Sequence, residues 1–318
     1  MLADKLMSAV PSAASSRGLF PGGAGYLTNI DYIEISTPGN ASDFGDCTAI
    51  TNTSGTSNGS SDRGIWGSGA VASDTYTNVI EYVTISTPGN TTDFGDLGGI
   101  YYSMNSTSNG TNERGVWAGG YLLGTGTIPY IMYVTISTPG NSATFGNLIA
   151  GSYGSNKGCS NGTNERGVFF IGAGTNTNSI DYITISSTSN SSDFGDLISD
   201  QGPSNNKGAG SGGATSNTTG ERGVYCGGIY DVAVNVIQYV TINSTGNCTD
   251  FGDLTNADYS IVGTSSGASG DTAVVAPMNT GSANASINYF TISTTGNAAN
   301  FGDLVVARNN VGACSNAD

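Results

Sequence analysis

Aspartates on either side of a Phe-Gly dipeptide recur along the chain at a spacing that could bind a cation. Four copies contain both acids: Asp43 and Asp46, Asp93 and Asp96, Asp193 and Asp196, and Asp250 and Asp253. Carboxylate oxygens beside Asn and Thr are ligands that calcium accepts. The third copy, however, has Thr144 and Asn147 at these positions. Because turn positions that bond nearby amides tolerate Asp, Asn and Thr, we interpret the acids as structural and predict no metal site.

Arginine is the second repeated group. An Arg-Gly dipeptide opens an apolar segment at Arg17, Arg63, Arg114, Arg166 and Arg222, whereas Thr272 occupies the sixth such position. Repetition in nearly every copy predicts an internal contact to aspartates or carbonyls of the Phe-Gly-Asp turn, rather than a ligand-binding cluster. We interpret the acids that precede these positions as solvated groups of little energetic consequence: Asp62, Glu113, Glu165, Glu221 and Asp271.

The composition excludes several classes of function. The chain has no histidine, so the most common general base and metal ligand is missing. No pair of carboxylates shows the unequal surroundings that a glycosidase requires. The formal net charge of −15 opposes binding to nucleic acid, and no apolar run approaches the ~20 residues that cross a bilayer. We therefore predict no catalytic residue, no cofactor, no nucleic-acid partner and no membrane insertion.

These motifs belong to one repeat that runs through the 318 residues. Each copy has a tyrosine in an apolar segment and, twelve residues later, the phenylalanine of Phe-Gly-Asp or Phe-Gly-Asn. The tyrosines are Tyr32, Tyr82, Tyr133, Tyr182, Tyr239 and Tyr289, and the phenylalanines are Phe44, Phe94, Phe145, Phe194, Phe251 and Phe301. Successive phenylalanines are 50, 51, 49, 57 and 50 residues apart, a period typical of the four-stranded blades of a β-propeller.

Each copy predicts four β-strands. The tyrosine segment is apolar on both faces, as expected of a strand that neighbouring blades cover. Thr-Pro-Gly-Asn at 37–40, 87–90 and 138–141 predicts type II turns with positive φ at glycine. The chain stops where another copy would continue into an Arg-Gly strand, and its first copy begins with that strand. We therefore predict an all-β, six-bladed β-propeller over residues 17–318, closed by pairing of the N- and C-terminal segments, with residues 1–16 as an N-terminal extension and docking peptide.

The repeat resembles a known family. Arg-Gly-Val-Trp-Ala-Gly-Gly at 114–120, followed by Tyr-Val-Thr-Ile-Ser at 133–137, resembles a divergent kelch repeat. Asn-Thr-Thr-Asp-Phe-Gly-Asp-Leu at 90–97 and Ser-Asn-Gly-Thr-Asn-Glu-Arg-Gly at 108–115 are similar to repeats of tail and virion proteins of marine bacteriophages, cyanophages especially. The resemblance implies a non-enzymatic protein of the virion, associated with the tail or a fibre or decorating the capsid. Its partners would be other virion proteins, and it would be assembled in the host cytoplasm.

The two faces of the predicted ring differ in variability. We define the turn face by the Pro-Gly and Ser-Asn-Gly turns, which are nearly identical between copies, and the loop face by the connections after the Arg-Gly and Phe-Gly-Asp strands, which differ. The loop face carries the stretch 99–102 and the residues Tyr26, Tyr76, Tyr121 with Leu122 and Leu123, Tyr130 and Tyr230. The predicted binding residues among them are Tyr26, Tyr76, Tyr121, Tyr130 and Tyr230. Aromatic residues on varied loops of a rigid scaffold predict a binding surface for a host-cell glycan or protein. Neutral drift explains the same variability, and a secreted lectin or a propeller enzyme is the alternative function.

Overall fold

The computed structural model describes residues 16–73, 75–152, 157–171, 178–198, 210–229, 232–276 and 284–317. These residues form six small antiparallel sheets, each with four consecutive paired strands, arranged in a ring. The prediction of an all-β, six-bladed propeller is therefore confirmed. Residues 1–15, which contain most of the predicted docking peptide, and Tyr230 lie outside the described residues.

The blades follow one another along the chain. Blade one contains β1 (Arg17–Pro21), β2 (Asn29–Glu34) and β3 (Ser42–Asp46). Blade two contains β4 (Ser54–Ser57), β5 (Arg63–Ala72), β6 (Thr75–Thr84) and β7 (Thr92–Asp96). Blade three contains β8 (Tyr101–Tyr102), β9 (Asn105–Ser108), β10 (Arg114–Ala118), β11 (Tyr121–Leu122), β12 (Gly126–Thr135) and β13 (Ala143–Ser152).

The second half repeats this order. Blade four contains β14 (Lys157–Ser160), β15 (Arg166–Phe170), β16 (Ser179–Thr184) and β17 (Ser192–Asp196). Blade five contains β18 (Gly213–Ser216), β19 (Arg222–Cys226), β20 (Val234–Thr241) and β21 (Thr249–Asp258). Blade six contains β22 (Val262–Ser265), β23 (Thr272–Ala276), β24 (Asn284–Thr291) and β25 (Ala299–Arg308), and β26 (Cys314–Ser315) follows.

Helical structure among the described residues is limited to single turns on the turn face. Four 3₁₀ turns span Gly59–Ser61, Gly110–Asn112, Gly162–Asn164 and Thr218–Gly220, and α1 spans Gly267–Gly270. Each connects the innermost strand of a blade to its Arg-Gly strand, or to the Thr272 strand in blade six. No helix in the described part of the chain has the length and apolarity needed to cross a membrane.

The innermost strands surround the propeller axis, and the ring closes through the last of them. β26 pairs with β1, Gly18 opposite Ser315 and Leu19 opposite Cys314, so the C-terminal strand is the innermost strand of blade one. It also contacts β4 and β22, the innermost strands of blades two and six. The predicted closure by the two terminal segments is confirmed.

The core consists of apolar clusters, most of which draw residues from two adjacent blades. One such cluster joins Leu19 and Phe44 of blade one to Trp66 and Ile85 of blade two. In every blade the repeat tyrosine meets the repeat phenylalanine edge to face, with ring centroids 5.7 to 6.1 Å apart. The phenylalanines are buried, whereas the tyrosines are only partly buried. Burying a ring of this size contributes about 1.5–3 kcal/mol.

The Phe-Gly-Asp motif is explained by contact with the next blade. Gly45 has φ 147°, and a Cβ atom there would lie 2.4 Å from the Gly89 carbonyl oxygen. The Asp46 amide donates to Asn90 Oδ1 (3.0 Å), and the Thr91 amide donates to the Asp46 carbonyl (2.9 Å). We call the contact region between two neighbouring blades a junction. The bond from a backbone amide to an asparagine side chain occurs at all six junctions, through Asn40, Asn90, Asn141, Asn190, Asn247 and Asn297.

The predicted type II turns are wrong. Gly39, Gly89 and Gly140 do not have positive φ. The tight turn lies earlier, where the Thr37 amide donates to the Glu34 carbonyl over 3.0 Å, and the Pro-Gly segment follows it. The Pro-Gly segment packs its backbone against the glycine of the Phe-Gly motif in the preceding blade. The motif therefore reflects a contact between blades and not a local turn.

Candidate functional site

Blades two and three extend beyond the ring on the loop face. β5 and β6 are ten residues long, twice the length of β1. In blade three, β11 pairs with β8 on one side and with the start of β12 on the other, forming a small additional sheet. Gly119 and Gly120 have φ of 65° and 97°, which lets the chain leave β10 and turn directly into β11.

These extensions bring three tyrosines together. The rings of Tyr76 and Tyr102 are stacked, with centroids 4.3 Å apart and an interplanar angle of 15°. The ring of Tyr121 also contacts Tyr102, with centroids 5.0 Å apart and an interplanar angle of 43°. All three side chains are partly exposed. We call Tyr76, Tyr102 and Tyr121 the tyrosine platform.

Exposed apolar groups surround the tyrosine platform. Tyr130, with 43% of its surface exposed, contacts the buried Tyr101 edge to face at 6.4 Å. Burial, with a smaller contribution from Tyr130, raises the pKa of Tyr101, so that phenol stays protonated at neutral pH. Ile100 and Leu123, on the segments that carry the platform, are 47% and 58% exposed. The neutral side chains named here form an aromatic and apolar surface, which suits an uncharged ligand.

The loop-face tyrosines predicted from sequence are therefore only partly brought together. Tyr76 and Tyr121 are joined, but through Tyr102, which belongs to the loop-face stretch 99–102 and was not among the predicted binding residues. Tyr130 lies at the edge of the same region, whereas Tyr26 is exposed on blade one, and no ring contact within the described residues links it to the platform. The signal that could have revealed Tyr102 is the Tyr101–Tyr102 pair after a Phe-Gly-Asp motif, which no other copy has.

The repeat arginines connect neighbouring blades on the turn face. Arg63 Nη1 donates to the carbonyls of Ile136 and Ser137 in blade three, at 3.0 and 2.9 Å. Its guanidinium carbon lies 4.5 Å from the ring centroid of Tyr82 in its own blade. All five arginines make both kinds of contact. The carbonyls that they reach lie at the end of the tyrosine strand of the next blade. The internal contact was therefore predicted correctly, but its predicted acceptor, the Phe-Gly-Asp turn, was wrong.

The acids before the arginines were predicted to be solvated groups of little energetic consequence. Instead, they accept hydrogen bonds from the neighbouring blade. Asn58 Oδ1 accepts from the Arg63 amide (2.7 Å), while its Nδ2 donates to Glu113 of the next blade (3.0 Å). Equivalent asparagine–acid bonds join five of the six junctions, ending on Asp62, Glu113, Glu165, Glu221 and Asp271. The side-chain amide of asparagine donates and accepts at once, which explains its place at these five junctions.

A second inter-blade contact was missed by sequence reasoning. The residue before the repeat tyrosine is buried and polar in five blades, and it accepts a backbone amide from the preceding blade: Asp31, Glu81, Asp181, Gln238 and Asn288. Burial raises the pKa of Asp181, although bonds from Ser191 and the Ile149 amide oppose this. The signal was a polar residue within an otherwise apolar strand.

The closing junction, between blades six and one, differs from the other five. Arg308 Nη2 lies 3.2 Å from Asp31 Oδ1 and donates to the Phe20 carbonyl at 2.9 Å, and both charged side chains are buried. Thr272 replaces the repeat arginine at this junction, and Ser266 and Ser16 stand where the asparagine and the acid would be.

The aspartates that suggested calcium are mostly exposed. Those that come before the Phe-Gly dipeptide are exposed, as is Asp46, whereas Asp96, Asp196 and Asp253 are partly buried. Asp46 Oδ1 accepts from Thr28 Oγ1 at 2.9 Å. Among the described residues, no cluster of three or more His, Cys, Asp or Glu residues could hold a metal ion. No protein-family model matches the chain, and no curated protein is significantly similar to it. The resemblance to kelch-like phage repeats thus has the support of the sequence motifs alone.

Proposed function

We propose that this protein is a non-enzymatic recognition propeller that binds a neutral glycan at the tyrosine platform. The observation that carries the proposal is the cluster of three partly exposed rings, with Tyr76 stacked on Tyr102 and Tyr121 tilted against Tyr102, all held by strands rather than by free loops. A sugar ring presents an apolar face of C–H groups, which packs on aromatic rings, and hydroxyls that bond to phenol groups. A rigid platform also loses little entropy on binding.

The setting that we propose is a phage virion, with the loop face turned towards the host cell and the protein held by other virion proteins. The repeat motifs at 90–97 and 108–115 support this setting. Copurification of the protein with virus particles, and its location by antibody labelling in the electron microscope, would test the setting separately from the binding activity.

The binding activity is tested with purified surface polysaccharides of candidate host bacteria. Tyr102→Ala should reduce affinity at least about tenfold, because it removes the ring that contacts both Tyr76 and Tyr121. Tyr26→Asn is the matched control: it removes an exposed tyrosine from the same face, and asparagine suits the left-handed backbone there (φ 57°). Circular dichroism would show that both variants fold.

Equal binding by the parent and both variants would reject the platform as the glycan site. A parent that binds no polysaccharide but captures a host surface protein through Tyr102, Ile100 and Leu123 would indicate protein recognition instead, since these groups form an exposed apolar patch.

A further inference from the structure

A series of cavities follows the propeller axis and narrows from the turn face to the loop face. The depression on the turn face, lined by the single helical turns of several blades, has a volume of about 520 Å³. The next three cavities have volumes of about 60, 30 and 10 Å³. The narrowing results from close packing of innermost strands: a Cβ at Gly158 would lie 2.8 Å from the Ser106 carbonyl oxygen, and one at Gly263 2.6 Å from that of Ala214.

Lys157 lines both of the narrowest cavities. The side chains that line them with it belong to Asn, Ser, Thr, Ala, Val and Met residues, and none is acidic. The equivalent positions of the other five blades carry neutral residues, in the innermost strand or, in blade one, two residues before β26: Ser54, Asn105, Gly213, Val262 and Gly312. The lysine is therefore a single positive charge in a neutral channel.

No described residue compensates this charge. The ion pairs found in the described part of the chain belong to Arg17 and Arg308, and no described group accepts a hydrogen bond from the Lys157 ammonium. Desolvation lowers the pKa of Lys157 to about 8, so the ammonium is still mostly charged at neutral pH. Lys157 is only partly buried, so part of its charge keeps contact with water. A partly desolvated charge without a counter-charge is still costly, and an anion that enters the cavity would offset this cost.

We propose that the loop-face end of the axial channel is an anion site in which Lys157 holds one chloride-sized ion. The size limit follows from the cavity volume of about 30 Å³, which is room for about two water-sized groups. A monatomic anion fits this space, whereas an organic anion as large as gluconate does not. The hydroxyls of Thr53 and Ser54 donate within the protein, to the Gly67 carbonyl and to Ser106 Oγ. Ser103, Ser211 and Ser260 line the adjoining cavity with Lys157, and their hydroxyls supply the donors for the ion. The site is independent of glycan binding.

Diffraction from parent crystals soaked in sodium bromide tests the site directly. An anomalous peak beside Lys157 Nζ is expected. Absence of a peak in the channel would mean that the ammonium is hydrated by water, and the proposal would be wrong. This measurement needs no variant and therefore does not depend on whether a substituted protein folds.

The solution test compares melting temperatures in sodium chloride and in sodium gluconate at equal ionic strength, since gluconate is too large for the cavity. Chloride should raise the melting temperature of the parent saturably by a few degrees, and Lys157→Met should abolish this response. Lys5→Met makes the same chemical change outside the described residues and should keep the response. An equal chloride response in the parent and in Lys157→Met would overturn the proposal.

Discussion

The closing junction and the other five junctions solve the same packing problem with different contacts. All six share the glycine and asparagine contact of the Phe-Gly-Asp motif. Only the five others have the arginine contact and the asparagine–acid bond on the turn face, whereas the closing junction has the buried Arg308–Asp31 pair. The arginine contact and the asparagine–acid bond can therefore be absent together from a junction in which a buried ion pair joins the two blades instead.

Closure itself should have the largest effect on stability. Deleting residues 311–318 removes β26 and exposes the edge of β1, so we expect most of the free energy of unfolding to be lost, roughly 5 kcal/mol or more, together with aggregation. Denaturant unfolding and light scattering measure both effects. Deleting only residues 317–318 keeps β26 and should change little. An unchanged melting temperature after the longer deletion would show that β26 does not hold the ring.

The buried ion pair should come next. Arg308→Met leaves Asp31 as an unpaired buried carboxylate, and we expect a loss of about 3–5 kcal/mol in the free energy of unfolding. Adding Asp31→Asn should recover most of this loss, because asparagine already serves at the equivalent Asn288. If the double variant were as unstable as Arg308→Met alone, packing of the arginine chain rather than its charge would hold the junction.

Arg63→Met should have a smaller effect at an ordinary junction. It removes two hydrogen bonds to blade three and the contact with the Tyr82 ring, all partly exposed, so we expect a loss of about 1–2 kcal/mol by denaturant unfolding. Thr272→Met places the same residue at the equivalent position of the closing junction, where no such contacts exist. A similar loss in both variants would argue against the inter-blade role of the arginine.

Thr272→Arg should make the closing junction resemble the other five. The new guanidinium would lie over Tyr289 and reach the carbonyls that end the tyrosine strand of blade one, as Arg63 does for blade three. We expect a gain of about 1 kcal/mol in the free energy of unfolding. Thr272→Lys, which cannot form the planar contact, should give less. A loss of stability would show that this junction cannot accept the ordinary contact.

Asp181→Asn should give the smallest effect, and one that depends on pH. The raised pKa of Asp181 means that its contribution to stability is present at low pH and is lost as pH rises through that pKa. The variant should therefore match the parent near about pH 3 and equal or exceed its free energy of unfolding near about pH 7. Glu34→Gln, at a partly exposed ion pair, is the control for general charge effects. A variant that is less stable only at neutral pH would contradict the raised pKa.

The architecture could be predicted from the amino-acid sequence. The pattern of apolar residues that makes a strand is a local property, and a nearly constant period means that each copy forms the same blade. The number of blades was therefore predicted from the number of copies, and the closure by β26 from the point in the repeat at which the chain begins and ends. The arginines were expected to make internal contacts for the same reason. Their acceptors could not be predicted, because they are backbone carbonyls of the next blade, which carry no residue-type signal.

The contacts between blades could not be predicted, because they depend on how the blades pack in the ring. The ring brings together residues some fifty positions apart, such as Asn58 and Glu113, and nearly identical repeat motifs carry no information on which residues of neighbouring copies form a contact. The tyrosine platform depends on the extensions of blades two and three, where Tyr102 joins Tyr76 and Tyr121. The pairing of Arg308 with Asp31 depends on closure of the ring, since 277 positions separate them in the chain.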